Sequence, residues 1–86
     1  MDSLSWNALK NDRLKKTRGV SFEELTSNGR LIDVRRHPSR ALQDILLFEY
    51  KNYVWVVPFV ADSSGLFLKT LYPSRKYTRL LKGGKL

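Results

Sequence analysis

The sequence predicts an α+β fold with a short N-terminal strand, two helices, an antiparallel four-stranded meander and a C-terminal helix. Three observations predict it: helix-capping signals in the first third, strand-like runs separated by turns in the middle, and an apolar stripe at helical spacing near the end. The 86 residues suffice for one domain with one modest core. We therefore expect a single domain over residues 1–86, with a flexible tail from about residue 82.

The first strand and the first helix are predicted from residues 4–18. Apolar and polar residues alternate over residues 4–6, which indicates a very short strand. Asn7 is a suitable N-cap for a helix from Ala8 to about Arg18, and Gly19 is suited to end that helix. Five cations surround a thin apolar stripe in this helix, so we expect it to lie on the surface with much of its circumference in water.

A second helix and a meander follow. Ser21 and Glu24 occupy the N-cap and N3 positions of a capping box, and Asn28-Gly29 is a good C-terminal stop. Alternating and apolar runs bounded by turn residues then predict four strands. These strands are Arg30–Arg36, Asp44–Lys51, Tyr53–Ala61 and Leu66–Tyr72.

The third strand of the meander, Tyr53–Ala61, is apolar at both alternating sets of positions. This pattern predicts a central strand that is covered on both faces of the sheet. Pro58 lies within the strand without an amide hydrogen to donate, so we expect a bulge or a local end of pairing there. Lys51-Asn52 before the strand and Asp62 to Gly65 after it are predicted to be tight turns.

The closing helix is predicted over about Ser74 to Leu81. It has an apolar stripe at i, i+3, i+4, expected in the core, and a cationic face at i, i+4, i+7. The stripe is Tyr77, Leu80 and Leu81, and the cationic face is Arg75, Arg79 and Lys82. Arg75 and Lys76 lie in the first turn, where the helix macrodipole disfavours cations and favours a bound anion.

The composition limits the classes of function. A net charge of +8 predicts a polyanionic partner such as nucleic acid, an acidic protein or an anionic surface, the alternative being an inert basic surface. The chain has no Cys and one His, which excludes disulfides and argues against a metal site. No glycine-rich phosphate loop, secretory signal or membrane-spanning run is present. We therefore expect a cytoplasmic protein without a cofactor and without membrane contact.

Two basic clusters supply the candidate functional residues. The first lies where the first meander strand ends and comprises Arg35, Arg36, His37 and Arg40. The second spans the end of the last strand and the start of the last helix and comprises Lys69, Tyr72, Arg75, Lys76 and Arg79. The cationic face of the closing helix is either a solvated surface or a contact to a polyanion, and the net charge of +8 favours the contact.

Three of these residues have a competing structural explanation. His37 precedes a proline and is equally explained as a turn histidine that donates to a nearby carbonyl. Tyr72 is equally explained as a core aromatic residue with its hydroxyl at the edge of the core. Lys69 and Tyr72 point to opposite faces of any regular strand, which argues against a site that uses both.

Several of these segments resemble the BrnT-like toxins, small basic proteins of bacterial type II toxin–antitoxin systems within the RelE/ParE-like superfamily. The resemblance rests on Trp6-Asn7, the block "RGVSFEE", the His37-Pro38 turn and the block "LKTLYPSRK", and it covers nearly the whole chain. BrnT-like sequences usually close on an arginine-rich motif where this chain has Tyr72-Pro73-Ser74-Arg75-Lys76, which indicates a divergent subfamily.

The resemblance implies a RelE/BrnT-like domain that acts as a metal-independent ribonuclease, cleaving mRNA and so inhibiting translation. A cognate antitoxin, of ribbon-helix-helix type or acidic, would neutralise it, and the pair would bind operator DNA through the antitoxin. Some members of the superfamily cut RNA only on the ribosome, some cut free RNA, and some poison gyrase instead. In such ribonucleases the ribose 2′-OH attacks the adjacent phosphate, which requires a proton acceptor, cations and a proton donor for the leaving oxygen.

The resemblance also implies roles for individual residues. Arg75 would stabilise the phosphate with help from Lys69 or Lys76, and His37 or Tyr72 would transfer the proton. The residues expected to hold the RNA backbone are Arg35, Arg36, Arg40 and Arg79. Two other functions use the same basic surface: a non-catalytic module that binds nucleic acid or the ribosome, and a protein that only engages an acidic antitoxin.

Overall fold

The computed structural model describes residues 3–37, 39 and 43–86. Over these residues the chain has an α+β fold in which three helices pack on a mixed sheet of six strands. The elements are β1 (Leu4–Ser5), α1 (Ala8–Arg18), α2 (Phe22–Asn28), β2 (Arg30–Arg36), β3 (Asp44–Tyr50), β4 (Tyr53–Asp62), β5 (Gly65–Leu68), β6 (Tyr72–Ser74) and α3 (Arg75–Lys82). None of the helices in the described ranges is long and apolar enough to span a membrane.

The order of the strands extends the predicted meander at one side. The sheet runs β1-β5-β4-β3-β2, with β2 to β5 antiparallel in chain order. Two features were not predicted: β1 joins the outer edge of β5 in a parallel pair, and β6 pairs with β4. The prediction of one continuous strand over Leu66–Tyr72 is wrong, because β5 ends at Leu68 and β6 begins at Tyr72.

The ends of α1 and α2 follow the predicted capping chemistry. The Asn7 side chain accepts a hydrogen bond from the Lys10 amide, and Gly19 ends α1 in a left-handed conformation with φ of 77°. The Ser21 hydroxyl accepts from the Glu24 amide while the Glu24 carboxylate accepts from the Ser21 amide, which completes the capping box. Local side-chain chemistry therefore determines where both helices begin.

The sheet is buried on both sides, as the pattern of β4 predicts. On the first face, α1 and α2 contribute to a cluster with Leu14, Val20, Phe22, Leu25, Leu46, Phe48, Trp55, Val57, Phe59, Leu68 and Leu71. On the second face, Tyr77 and Leu81 of α3 pack on a cluster of Ile45, Leu47, Val54 and Val56. Because successive residues of a strand point to opposite sides, β3 and β4 supply both clusters.

A one-residue bulge lies opposite Pro58, where the sequence predicts a disturbance. Phe59 pairs with Leu68 and Val56 pairs with Tyr72. Three residues lie between Leu68 and Tyr72, whereas only two lie between Val56 and Phe59 on β4. The Lys69 amide donates to the Pro58 carbonyl at 2.8 Å. In a regular ladder Pro58 would return a hydrogen bond to Lys69, and without an amide hydrogen it has none to give.

A second irregularity occurs in β2. Leu31 pairs with Phe48 and Asp33 pairs with Leu47, which leaves Ile32 as an extra residue. Leu31 and Val34, three residues apart, therefore both lie on the first face, whereas Ile32 packs against the cluster on the second face. The bulge changes the face of every residue that follows it in β2.

Thr78, a residue that the sequence analysis did not single out, attaches α3 to β4. Its side chain is buried; the hydroxyl oxygen accepts from the Val54 amide at 2.8 Å and donates to the Ser74 carbonyl at 2.6 Å. Of the predicted stripe, Tyr77 and Leu81 pack on the second face and Leu80 is half-buried. Thr78 thus lies in α3 and accepts a hydrogen bond from the backbone of β4.

The chain after α3 is held by a C-capping motif. Gly84 is left-handed with φ of 73°, its amide donates to the Leu81 carbonyl, and the Lys85 amide donates to the Leu80 carbonyl. This is the pair of hydrogen bonds of a Schellman motif. Lys82 belongs to the helix, and Leu86 packs against the second-face cluster. The flexibility predicted for residues 82–86 concerns motion and stays a prediction.

Glu24 connects α1, α2 and β3. Its carboxylate accepts hydrogen bonds from the Lys15 ammonium, the Ser21 amide and the Tyr50 hydroxyl. The hydrogen bond from Lys15 is the main cause that lowers the pKa of Glu24 from 4.5 to about 2, and desolvation of the carboxylate opposes it. The folded protein therefore binds the ionised carboxylate in preference to the protonated one.

Replacing Thr78 by Val should destabilise the fold by about 1–3 kcal/mol, because the buried Val54 amide loses its acceptor. The two side chains are similar in shape and in helix propensity. Thr78→Ser keeps the hydroxyl and loses one methyl group, so it should cost about 0.8 kcal/mol. Urea unfolding followed by circular dichroism measures both variants, and equal losses would show that the hydrogen bond contributes nothing.

Replacing Glu24 by Gln should weaken the acid dependence of stability. A lowered folded-state pKa stabilises the protein above the unfolded-state value near 4.5, and this contribution disappears as the pH falls towards about 2. The variant should therefore be less stable at neutral pH and show a shallower fall in unfolding midpoint across this window. Asp12→Asn, an exposed carboxylate on α1, is the matched control, and identical acid limbs for wild type and Glu24→Gln would refute the assignment.

Candidate active site

A basic cleft of about 290 Å³ opens at one end of the sheet. It brings together three of the four predicted catalytic residues, His37, Lys69 and Tyr72. The complete lining is Lys10, His37, Gln43, Pro58, Lys69, Thr70 and Tyr72. Residues from four separate parts of the chain thus converge on one concave surface, which is the usual form of a binding site.

The bulge opposite Pro58 places Lys69 and Tyr72 together. Lys69 lies opposite Pro58 and Tyr72 pairs with Val56, and both of these β4 positions face the second side of the sheet. If the same sequence formed a regular strand without the bulge, Tyr72 would point to the first face and away from Lys69. The expectation that the two side chains cannot share a site is therefore wrong, because it assumed a regular strand.

The bulge in β2 likewise turns His37 to the second face, on which Lys69 and Tyr72 lie. The His37 amide donates to the Gln43 carbonyl, which continues the register in which Arg36 pairs with Asp44. His37 and Gln43 consequently share the second face with Ile45 and with the Pro58 position. Two independent one-residue shifts are thus needed to gather His37, Lys69 and Tyr72 on one side.

Lys10 lines the cleft and was not predicted as a site residue. It is the third residue of α1, a helix that has no acidic residue in its first turn. A cation in a first turn is electrostatically unfavourable without an anion. That signal was used for Arg75 and applies equally to Lys10, so the sequence did contain the information needed to find it.

The tautomer of His37 follows from its hydrogen bonding. The Ser39 amide donates to His37 Nδ1 at 3.1 Å, so Nδ1 carries no proton in this geometry. A neutral imidazole with an unprotonated Nδ1 carries its hydrogen on Nε2. His37 is therefore arranged as a hydrogen-bond donor through Nε2, and it could accept a proton at Nδ1 only by releasing Ser39.

Tyr72 also carries its proton at neutral pH. Burial raises the pKa of its phenol, with a smaller contribution from the neighbouring Tyr77 hydroxyl. The phenol remains protonated at neutral pH and could donate a proton or a hydrogen bond. Among the lining residues none is a carboxylate, and two are lysines. This arrangement suits an anionic ligand, since cations and hydrogen-bond donors converge on it.

The remaining predicted site residues do not line the cleft. Arg35 lies on the second face, where its guanidinium contacts the Asp33 carboxylate at 2.8 Å and stands 5.6 Å from the centre of the Tyr77 ring. Lys76 packs on the same ring at 5.7 Å. Three further cations that were predicted as site residues are exposed and lie outside the cleft: Arg36, Arg75 and Arg79. Arg40 is outside the described residues, and the roles predicted for all these cations stay predictions.

An apolar groove of about 310 Å³ lies on the first face, away from the cleft. Leu31 and Val34 each expose 51% of their surface in it, because the β2 bulge directs both to the same side. The complete lining is Leu4, Thr26, Gly29, Leu31, Val34, Leu46, Phe48 and Leu66. The groove has little of the polar chemistry that distinguishes the cleft.

Comparisons of the chain with protein-family models, curated sequences and solved structures find no match. A functional assignment therefore depends on the motifs in the sequence and on the cleft. Within residues 3–37, 39 and 43–86, no group of three His, Cys, Asp or Glu side chains is placed to hold a metal ion.

The His37 tautomer can be measured directly. Nitrogen-15 NMR of the neutral ring should show an unprotonated Nδ1 and a protonated Nε2, since Ser39 donates to Nδ1. Ser39→Pro removes that amide hydrogen and should shift the ring towards the other tautomer. A protonated Nδ1 in the wild-type protein would contradict the donor role assigned to Nε2.

Proposed function

We propose that this protein is the toxin of a bacterial type II toxin–antitoxin system and acts in the cytoplasm as a metal-independent ribonuclease that inhibits translation. The observation that carries the proposal is the cleft in which His37, Lys69 and Tyr72 meet. Two further supports are the BrnT-like sequence blocks and the net charge of +8. The proposal includes the assignment of the fold as a RelE/BrnT-like domain, with a short first strand and a closing helix.

The cleft residues divide the chemistry of RNA cleavage among them. Lys10 and Lys69 hold the scissile phosphate and stabilise the charge that develops when the ribose 2′-OH attacks it. Tyr72 donates the proton that the leaving 5′ oxygen requires, or His37 does so through Nε2 after a proton on Nδ1 has made its ring an imidazolium. The proton of the 2′-OH goes to water, or to His37 Nδ1 once Ser39 is released. Lys69 thus becomes a principal cation of the site, and Arg75, which does not line the cleft, becomes a contact to RNA outside it.

The remaining cations and the partners complete the proposal. Lys76 and Arg79 of α3, together with Arg35 and Arg36 of β2, bind flanking RNA through phosphates. A cognate antitoxin, acidic or of ribbon-helix-helix type, covers the basic surface and carries the pair to operator DNA. Complementary charge would speed such an association and make it dependent on salt.

A non-catalytic module that binds nucleic acid or the ribosome is the second candidate. The absence of a carboxylate from the cleft lining favours it, because a cleft of donors binds phosphate well without supplying a strong proton acceptor. The two candidates differ in one measurable result, which is whether bound RNA is cut.

Purified protein should cleave RNA in the presence of EDTA, and single substitutions in the cleft should slow it. Lys69→Gln should reduce the cleavage rate by about 10²- to 10³-fold through lost transition-state stabilisation. Tyr72→Phe should reduce the rate by about 10²-fold or more if Tyr72 supplies the proton. Tyr72→Phe should bind uncleaved 2′-deoxy-substituted RNA nearly as well as Lys51→Gln, a control at the far end of β3, whereas Lys69→Gln should bind it more weakly through the loss of one phosphate contact.

The outcomes separate the two candidates. Salt-sensitive binding without cleavage, on naked RNA and on translating ribosomes alike, would refute the ribonuclease and leave the binding module. Cleavage that survives both substitutions would move the active site out of this cleft. A gene for a short acidic or ribbon-helix-helix protein beside this one would support the toxin–antitoxin class independently of any activity.

A further inference from the structure

Helix α1 presents a row of cations that begins inside the cleft and continues outside it. Lys10 lines the cleft, and Arg13 and Lys16 follow at intervals of three residues. Side chains three apart are neighbours on a helix, with about 5–6 Å between their Cβ atoms. The row therefore forms one connected strip of positive charge along the outer surface of α1.

The structural needs of α1 do not explain this strip. Asn11 and Leu14 hold the helix to the first face; Asn11 Oδ1 accepts from the Phe22 amide at 2.7 Å. Lys15 is occupied by Glu24. Arg13 and Lys16 are exposed, and neither side chain takes part in an ion pair within the described part of the chain.

The chemistry of the strip fits a phosphate backbone better than a protein surface. Protein interfaces are centred on buried aromatic and apolar anchors, and the outer surface of α1 offers only Leu9, which is 75% exposed. Lysine and arginine in a regular row contact successive phosphates without reading sequence. Because the row begins at Lys10 inside the cleft, it indicates the path along which an RNA strand would leave the cleft.

We propose that α1 is an extended RNA-binding arm, in which Arg13 and Lys16 hold the phosphates of the single strand that leaves the cleft past Lys10. This inference rests on the proposed function only in taking RNA as the occupant of the cleft. It assigns α1 a role in affinity for long RNA and none in the chemical step.

The test compares Arg13→Gln/Lys16→Gln with the wild type on a trinucleotide and on an RNA of about 20 nucleotides, both 2′-deoxy-substituted to prevent cleavage. Glutamine keeps a high helix propensity, so α1 should persist. Lys51→Gln/Lys85→Gln removes the same charge at the β3–β4 turn and after α3, and is the matched control. Fluorescence anisotropy gives the dissociation constant at several salt concentrations.

Each phosphate contact with a single strand contributes about 0.7 to the slope of log affinity against log salt. Loss of two contacts should lower the slope by about 1.4, so between about 50 and 200 mM salt the long-RNA affinity of the wild type should fall about sevenfold more than that of the variant. The control should keep the wild-type slope. Trinucleotide binding should be the same for all three proteins.

Three outcomes overturn the inference. They are an unchanged slope in Arg13→Gln/Lys16→Gln, an equal loss in the control, and no measurable RNA binding by the wild type. The first and third would leave an acidic protein as the partner of α1. The ribonuclease proposal fails separately, because a slope change without cleavage of unsubstituted RNA, either naked or on translating ribosomes, would confirm the arm and refute the enzyme.

Discussion

Pro58 has no amide hydrogen, and the way the sheet accommodates this absence determines where the cleft forms. Lys69 donates to the Pro58 carbonyl, but no hydrogen bond returns, so β5 ends and one extra residue precedes β6. That residue turns Tyr72 to the side where Lys69 already points. A residue with an amide hydrogen at position 58 would permit a continuous strand and would separate the two side chains.

The two faces of the sheet differ in the size of their cores and in the charged groups that lie near them. The first face carries the larger core and the carboxylate of Glu24, which joins α1, α2 and β3. The cleft opens on the side of α3 and is lined by hydrogen-bond donors and two lysines. Helix α1 belongs to both, because its inner side packs on the first core while Lys10 reaches the cleft. The Lys15–Glu24 ion pair thus lies on the first face, away from the cleft, whereas the Arg35–Asp33 pair lies on the same face as the cleft.

The sequence predicted well wherever the signal is local. The caps at Asn7 and Ser21 and the two-sided burial of β4 depend on neighbouring residues, and the structure confirms them. The facing of Lys69 and Tyr72 was predicted incorrectly, because alternation was carried across a bulge whose length only the pairing reveals. Lys10 was missed although its first-turn position signals an anion site. The disturbance at Pro58 was foreseen, but its consequence for the site was not.

The two bulges also constrain how the length of this chain can change during evolution. Deleting Ile32, or one residue between Leu68 and Tyr72, would remove a bulge but leave the remaining pairs, and so the facing of the residues beyond it, unchanged. Loss of a second residue would have no bulge to absorb it and would reverse the facing of the residues beyond it. Related sequences should therefore accept a single-residue gap at a bulge more readily than elsewhere in the same strand.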